Sequence, residues 1–253
     1  VLLKYLKLSG GVFMFSKNLR LTSYIIAVAL ILPALMFQAC GKSTPPQSIC
    51  KISSIDGTAT ITRTAGNSEQ AQKGSQLFAG ESISTESKSS VKLQFRDFAS
   101  VLIGEQSKYA ITLQKTDDKE SVLSTSTELL KGIGLVSVDP SKKTKFAIKT
   151  PHVITGVLGT KFGLEVNSDC DKDGKDDEGE TTLGVLNGLV SFEGSGEKLE
   201  IGPGSGANCK GKDKPEKIEG FFKKQSKLSA HLQNFIKAEA TGGTNLQSIF
   251  RSY

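Results

Sequence analysis

The chain has 253 residues, 37% of them hydrophobic, with 32 Lys and Arg against 26 Asp and Glu, a net charge of +6. Four of the basic residues, Lys4, Lys7, Lys17 and Arg20, stand in the first 39 residues, which hold no acid. Without that segment the balance is 28 against 26, or +2, and so near-neutral a charge makes no case for nucleic acid as a partner.

The first predicted element is an export signal over residues 1–39. Met14 opens a better signal than Val1. Lys17 and Arg20 supply the positive region, and Tyr24 to Phe37 is an uncharged apolar run. Positive, apolar, then small at the cut is the layout of a secretory signal. The run is short for a membrane span, which needs about 20 residues. Phe37-Gln38-Ala39-Cys40 resembles the lipobox of bacterial lipoproteins, with Phe37 where leucine is usual. The resemblance implies cleavage before Cys40, a diacylglycerol on its thiol, palmitate among the acyl chains of the lipidated residue, and a lipid anchor in the membrane. Gly41 stands where enteric lipoproteins held at the inner membrane carry Asp, which favours the outer membrane, periplasmic or surface face. Residues 40–50 then read as a lipidated N-terminus and a short polar tether with Pro45 and Pro46.

Residues 51–208 read as strands and turns. Thr58–Arg63, Ser90–Phe95, Ser100–Ile103, Phe146–Lys149, Thr160–Val166 and Leu183–Phe192 alternate or run apolar between Gly, Asp, Asn and Ser. Period-two patterning with frequent turn signals predicts an all-β domain. Ser124 to Lys131 is expected to form one helical turn. From Cys209 the composition shifts. Ile218, Phe221, Phe222, Leu228, Leu232, Phe235 and Ile236 recur at helical spacing behind Pro215. They predict an amphipathic helix over about Glu216 to Ala240 within a C-terminal segment 209–253. Its stripe is expected to pack on the β domain; the alternative is a stripe offered to a partner or a membrane surface.

Cys50, Cys170 and Cys209 remain once Cys40 is lipidated, an odd number for an oxidising compartment. Cys170 and Cys209, both in polar loop-like stretches, are the expected pair, although spacing alone does not fix connectivity. Asp169 to Glu180 has the spacing of a twelve-residue calcium loop. Asp169, Asp171 and Asp173 stand at positions one, three and five, Gly174 at six, Lys175 at seven for its carbonyl, Asp177 at nine and Glu180 at twelve. Asp176 occupies a position that is normally apolar, and the flanks read as strands, so the competing reading is a solvated acidic hairpin. Calcium is the one cofactor expected.

No nucleophile elbow, phosphate-binding loop or zinc spacing is present, and the two histidines, His152 and His231, read as a residue leading into a strand and a helix-surface residue. The chain is therefore not expected to be an enzyme.

A set of motifs follows in order: Gly57–Arg63, Gly74–Leu77, Gly80–Thr85, Val91–Ile103, Leu130–Val138, Thr150–Phe162 and Val185–Phe192. Together they resemble the FecR domain family over about 150 residues. Thr150-Pro-His-Val-Ile-Thr-Gly-Val-Leu-Gly-Thr-Lys-Phe162 is the most specific stretch, and Leu158 stands where the family generally has Arg. The resemblance implies a compact β-solenoid-like or sandwich-like domain, followed here by the C-terminal helix, with Val157 and Phe162 buried. Signalling members of the family relay signals between an outer-membrane receptor and a cytoplasmic sigma factor, through a transmembrane helix and a cytoplasmic segment. Neither is expected here, so the resemblance carries over the domain rather than that relay. It implies a binding or signalling module whose partner is an envelope protein or polysaccharide. The alternative is a structural or cell-wall-associated lipoprotein.

Overall fold

The computed structural model describes residues 47–116, 122–167 and 179–222. Among them are seventeen strands and no helix: β1 (Cys50–Asp56), β2 (Ala59–Thr62), β3 (Ser68–Gln70), β4 (Gln76–Leu77), β5 (Ser82–Thr85), β6 (Ser90–Phe95), β7 (Ala99–Ile103), β8 (Lys108–Thr116), β9 (Val122–Val138), β10 (Lys145–Lys149), β11 (Ile154–Val157), β12 (Lys161–Asn167), β13 (Glu180–Asn187), β14 (Val190–Gly194), β15 (Glu197–Ile201), β16 (Gly206–Lys210) and β17 (Glu216–Ile218). The expectation of an all-β domain holds for these residues.

The strands form two open sheets that share β9. One runs β4-β1-β6-β7-β9-β12-β13-β16-β17. The other runs β3-β2-β5-β8-β9-β10-β11-β14-β15. Every pairing is antiparallel except β9 with β10. Up to Lys131, β9 belongs to the second sheet; from Gly132 it belongs to the first. Gly132 makes the transfer with φ of +90° and lies so close to Ser107 that a Cβ would stand 2.6 Å from the serine Cα. Only glycine combines that dihedral with that approach. The Ser107 hydroxyl accepts the Ile133 N–H at 3.0 Å and pins the bend.

One apolar core lies between the sheets. Val91, Leu93 and Phe95 of β6 and Val101 and Ile103 of β7 enter it from the first sheet, Phe146 and Ile148 of β10 and Phe192 of β14 from the second. Val157 and Phe162 are buried, as expected, and Leu158 is 60% exposed. Pairing of opposed inner faces supplies most of the apolar burial that stabilises such a fold.

Two expectations are corrected. Ser124 to Lys131 is extended and lies within β9. Thr125, Thr127 and Leu129 are buried and alternate with less buried neighbours, a period of two rather than 3.6. Glu216 to Ile218, where a helix was expected to begin, is strand β17, because β16 offers its open edge there, with Ala207 opposite Lys217. Phe221 follows and is fully buried, packing with Leu102, Ile133 and Leu135 on the outer face of the first sheet, where Ile218 and Phe222 join them. The start of the predicted apolar stripe thus packs on the β domain. The rest of the predicted helix lies outside the described residues.

Candidate functional site

The strand ends gather into two poles. β12 and β13 are antiparallel, with Asn167 opposite Glu180, so the acidic segment 168–179 connects two hydrogen-bonded neighbours. At that end Thr150, Pro151 and His152 form the turn from β10 to β11, closed by the Thr150 N–H donating to the Val153 carbonyl at 2.8 Å. The Thr150 hydroxyl accepts the Val153 N–H at 3.1 Å and lies 2.9 Å from the Thr181 hydroxyl. His152 Nδ1 lies 3.1 Å from the same Thr181 oxygen. The imidazole rests on Gly179, where a Cβ would stand 2.7 Å from the ring. Half-burial pushes the His152 pKa below its ordinary value, and the charge of Glu180 partly opposes this.

Glu180 is the one predicted calcium ligand among the described residues. It opens β13, and its Oε1 accepts a hydrogen bond from Asn208 Nδ2 at 2.5 Å. A strand, rather than the first turn of a helix, therefore follows position twelve. Asp169, Asp171, Asp173, Lys175 and Asp177 lie outside the described residues, as do Cys40, Cys170 and His231. Among the described residues no three His, Cys, Asp or Glu side chains are grouped to hold a metal ion.

Cys209 is buried on β16 opposite Thr181, and its thiol donates to the Asp213 carbonyl at 3.3 Å. Burial, and then the Asp213 charge, push its pKa up. Its expected partner, Cys170, is not among the described residues. Cys50 is buried in the core at the start of β1, and burial raises its pKa far above the ordinary thiol range.

Sequence reading missed a buried acid. Glu81 leads into β5 with its side chain 7% exposed, and its Oε2 accepts from Arg63 Nη1 at 2.7 Å and from the Phe78 N–H at 2.9 Å. Arg63 also pairs with Glu69. The arginine thus ties the end of β2 to β3 and to the approach of β5. The only sequence signal was an acid beside a glycine ahead of an alternating strand. Thr150 and Thr181 are 3% and 0% exposed, and each hydroxyl is engaged by its neighbours, so the His152 cluster fixes the base of the acidic hairpin rather than presenting a nucleophile.

The turn, the hairpin base and the bent β9 all fall within residues 81–191, which match the family described as FecR protein. Residues 81–191 are a FecR domain. The match begins at the buried Glu81 and ends in β14; β1 to β4 and β15 to β17 extend both sheets beyond it. No curated protein matches the chain. Two crystal structures of a proposed anti-sigma factor from Parabacteroides distasonis are similar at 16% identity and a TM-score of 0.43, covering 55% of this chain and 59% of that one. A cell surface anchoring domain is 31% identical over 24% of this chain and 82% of its own, with a TM-score of 0.24. The chain thus spans less than two thirds of the anti-sigma structures, and TM-scores of this size establish no common architecture.

Proposed function

We propose that this chain is a non-enzymatic, lipid-anchored envelope protein whose FecR domain acts as a binding and signalling module. The observation that carries the reading is the FecR match over residues 81–191. The signal-like segment 1–39 and Cys40 support the anchor, and the internal engagement of Thr150, Thr181 and His152 supports a module that binds rather than reacts. Calcium at residues 169–180 belongs to the same proposal and rests on carboxylate spacing alone. Calorimetric titration of the wild type beside Asp169→Ala/Asp173→Ala tests it, and equal heats would remove the metal.

Cross-linking in intact cells followed by purification of the full chain tests the module. One envelope protein recovered in stoichiometric amount is the expected result. Diffuse association with cell-wall material would favour the structural alternative instead. Palmitate labelling tests the anchor separately: the wild type should take up label and Cys40→Ala should not.

A further inference from the structure

The pole opposite the acidic hairpin carries a different surface. In the first sheet Lys51 pairs with Gln94 and Lys161 with Ser137, whereas Val166 pairs with Gly132 and Asn167 with Glu180. The β1 start, the β6–β7 turn and the β12 start therefore share one end, and the hairpin base is at the other. The 139–144 loop returns to the first end, where the Asp139 N–H donates to the Phe98 carbonyl at 2.8 Å and the Thr144 hydroxyl to the Val122 carbonyl at 2.9 Å.

Shallow clefts at this end are lined by Lys51, Arg96, Lys142 and Lys143, with Asp97 the one acid among the lining residues. Lys142 pairs with Asp97 at 2.5 Å; Lys51 and Lys143 are exposed. Asp139, the other acid close by, is held ionised by the N–H and hydroxyl of Ser141.

Two exposed leucines stand at the same end. β11 and β14 pair through Val157 and Val190, so Leu158, which follows β11, and Leu189, which precedes β14, stand one register step beyond the paired ends. They are 60% and 53% exposed. Their turns abut the basic loop. Gly159 passes so near Pro140 that a Cβ would stand 2.5 Å from its Cα, and a Cβ on Gly188 would stand 2.9 Å from the Gly159 carbonyl oxygen.

We infer that this pole docks on an anionic phospholipid bilayer, with Leu158 and Leu189 entering the headgroup boundary and Arg96, Lys142, Lys143 and Lys51 facing the phosphates. Paired apolar loop tips beside a basic surface meet the two requirements of interfacial binding, buried apolar area and attraction to anionic lipid. The chain also enters the domain here. Gln47 and Ser48 lead into β1, and seven peptide links separate Cys40 from Gln47, a reach of at most about 25 Å. The orientation rests on the proposed anchor at Cys40. A lipid there holds this pole near the bilayer and leaves the hairpin base, where Asn167 pairs with Glu180, at the end turned away.

Vesicle sedimentation with residues 47–253, which contain the whole described core and lack Cys40, tests the surface independently of the anchor. Phosphatidylcholine vesicles containing phosphatidylglycerol should bind the chain, and pure phosphatidylcholine should not. Lys142→Glu/Lys143→Glu should weaken binding on the order of 25-fold or more, given about fivefold per basic residue near a charged bilayer. Leu158→Ser/Leu189→Ser should weaken it on the order of tenfold. All four positions are exposed, so melting temperatures should stay at the wild-type value and separate lost binding from lost folding. Equal binding to neutral vesicles, or binding unchanged in the lysine variant, would overturn the inference. Loss with the lysine variant but none with the leucine variant would also overturn it, since that pattern marks an anion site rather than a bilayer surface. Palmitate uptake by Cys40 is read in a separate experiment, so the anchor and the docking surface fail independently.

Discussion

Phe95 of β6 and Phe146 of β10 meet edge to face across the core, ring centroids 5.3 Å apart and planes at 80°. One ring belongs to each sheet, so this contact joins the two layers that β9 joins covalently. Both side chains are fully buried. Phe146→Ala should cost about 3–5 kcal/mol, since it leaves a cavity the sheets cannot close. Phe162→Ala in β12 should cost a similar amount, while Leu113→Ala on the exposed face of β8 should stay within about 0.5 kcal/mol. Urea midpoints measure all three, and a loss at Phe146 no larger than at Leu113 would contradict this packing.

Gly132 and Gly196 both have positive φ, +90° and +76°, but only Gly132 is crowded. Gly196→Ala should cost about 1 kcal/mol for the left-handed backbone alone. Gly132→Ala adds collision with the Ser107 backbone, which cannot rotate away as a long side chain could. It should cost at least twice as much and loosen the passage of β9 between sheets. Equal losses in thermal melts of the two variants would show that the close approach at Ser107 does not matter.

Strands with an apolar inner face and a polar outer one were legible in the sequence, as in β6, where Val91, Leu93 and Phe95 alternate with Lys92 and Gln94. β9 was not, because its inner face is partly threonine. Thr127 is buried with its hydroxyl 2.7 Å from that of Tyr109, on a strand whose position only the fold supplies. β17 was read as helix because three residues cannot display a period, and its partner β16 is set by tertiary pairing. Val157 and Phe162 were legible through the FecR motif. The His152 cluster was not, since Thr150 of the β10–β11 turn and Thr181 of β13 belong to different sheets and form a long-range contact, 31 residues apart, that only the fold supplies. The adjacency of Leu158 and Leu189 has the same origin.

Cys50 is 3% exposed, and burial disfavours its thiolate. Thiolate is the species that alkylating reagents attack. In the folded chain Cys50 should therefore resist iodoacetamide at pH 8, and it should react fully once urea unfolds the domain. Peptide mass mapping after a timed pulse reads this residue by residue. Fast labelling under native conditions would mean that the β4–β1 end of the first sheet opens well below the cost of global unfolding.

His152 gives the domain an acid-sensitive hairpin base. Its folded pKa is lowered by half-burial against Gly179, while the unfolded chain restores a value near 6.5. The unfolded state therefore binds the proton more readily, and stability rises with pH across this window. The contribution is fully present above about pH 6.5 and is lost as pH falls through the folded pKa. Urea unfolding between about pH 7.5 and 5 isolates this group, because most carboxylates titrate lower. The wild type should lose stability on acidification, with a slope of at most about 1.4 kcal/mol per pH unit from one histidine. His152→Gln should flatten that slope. Glu180→Gln should steepen it, because the carboxylate is the charge that favours the imidazolium. Identical slopes in wild type and His152→Gln would show that the ring at the hairpin base is not the group responsible.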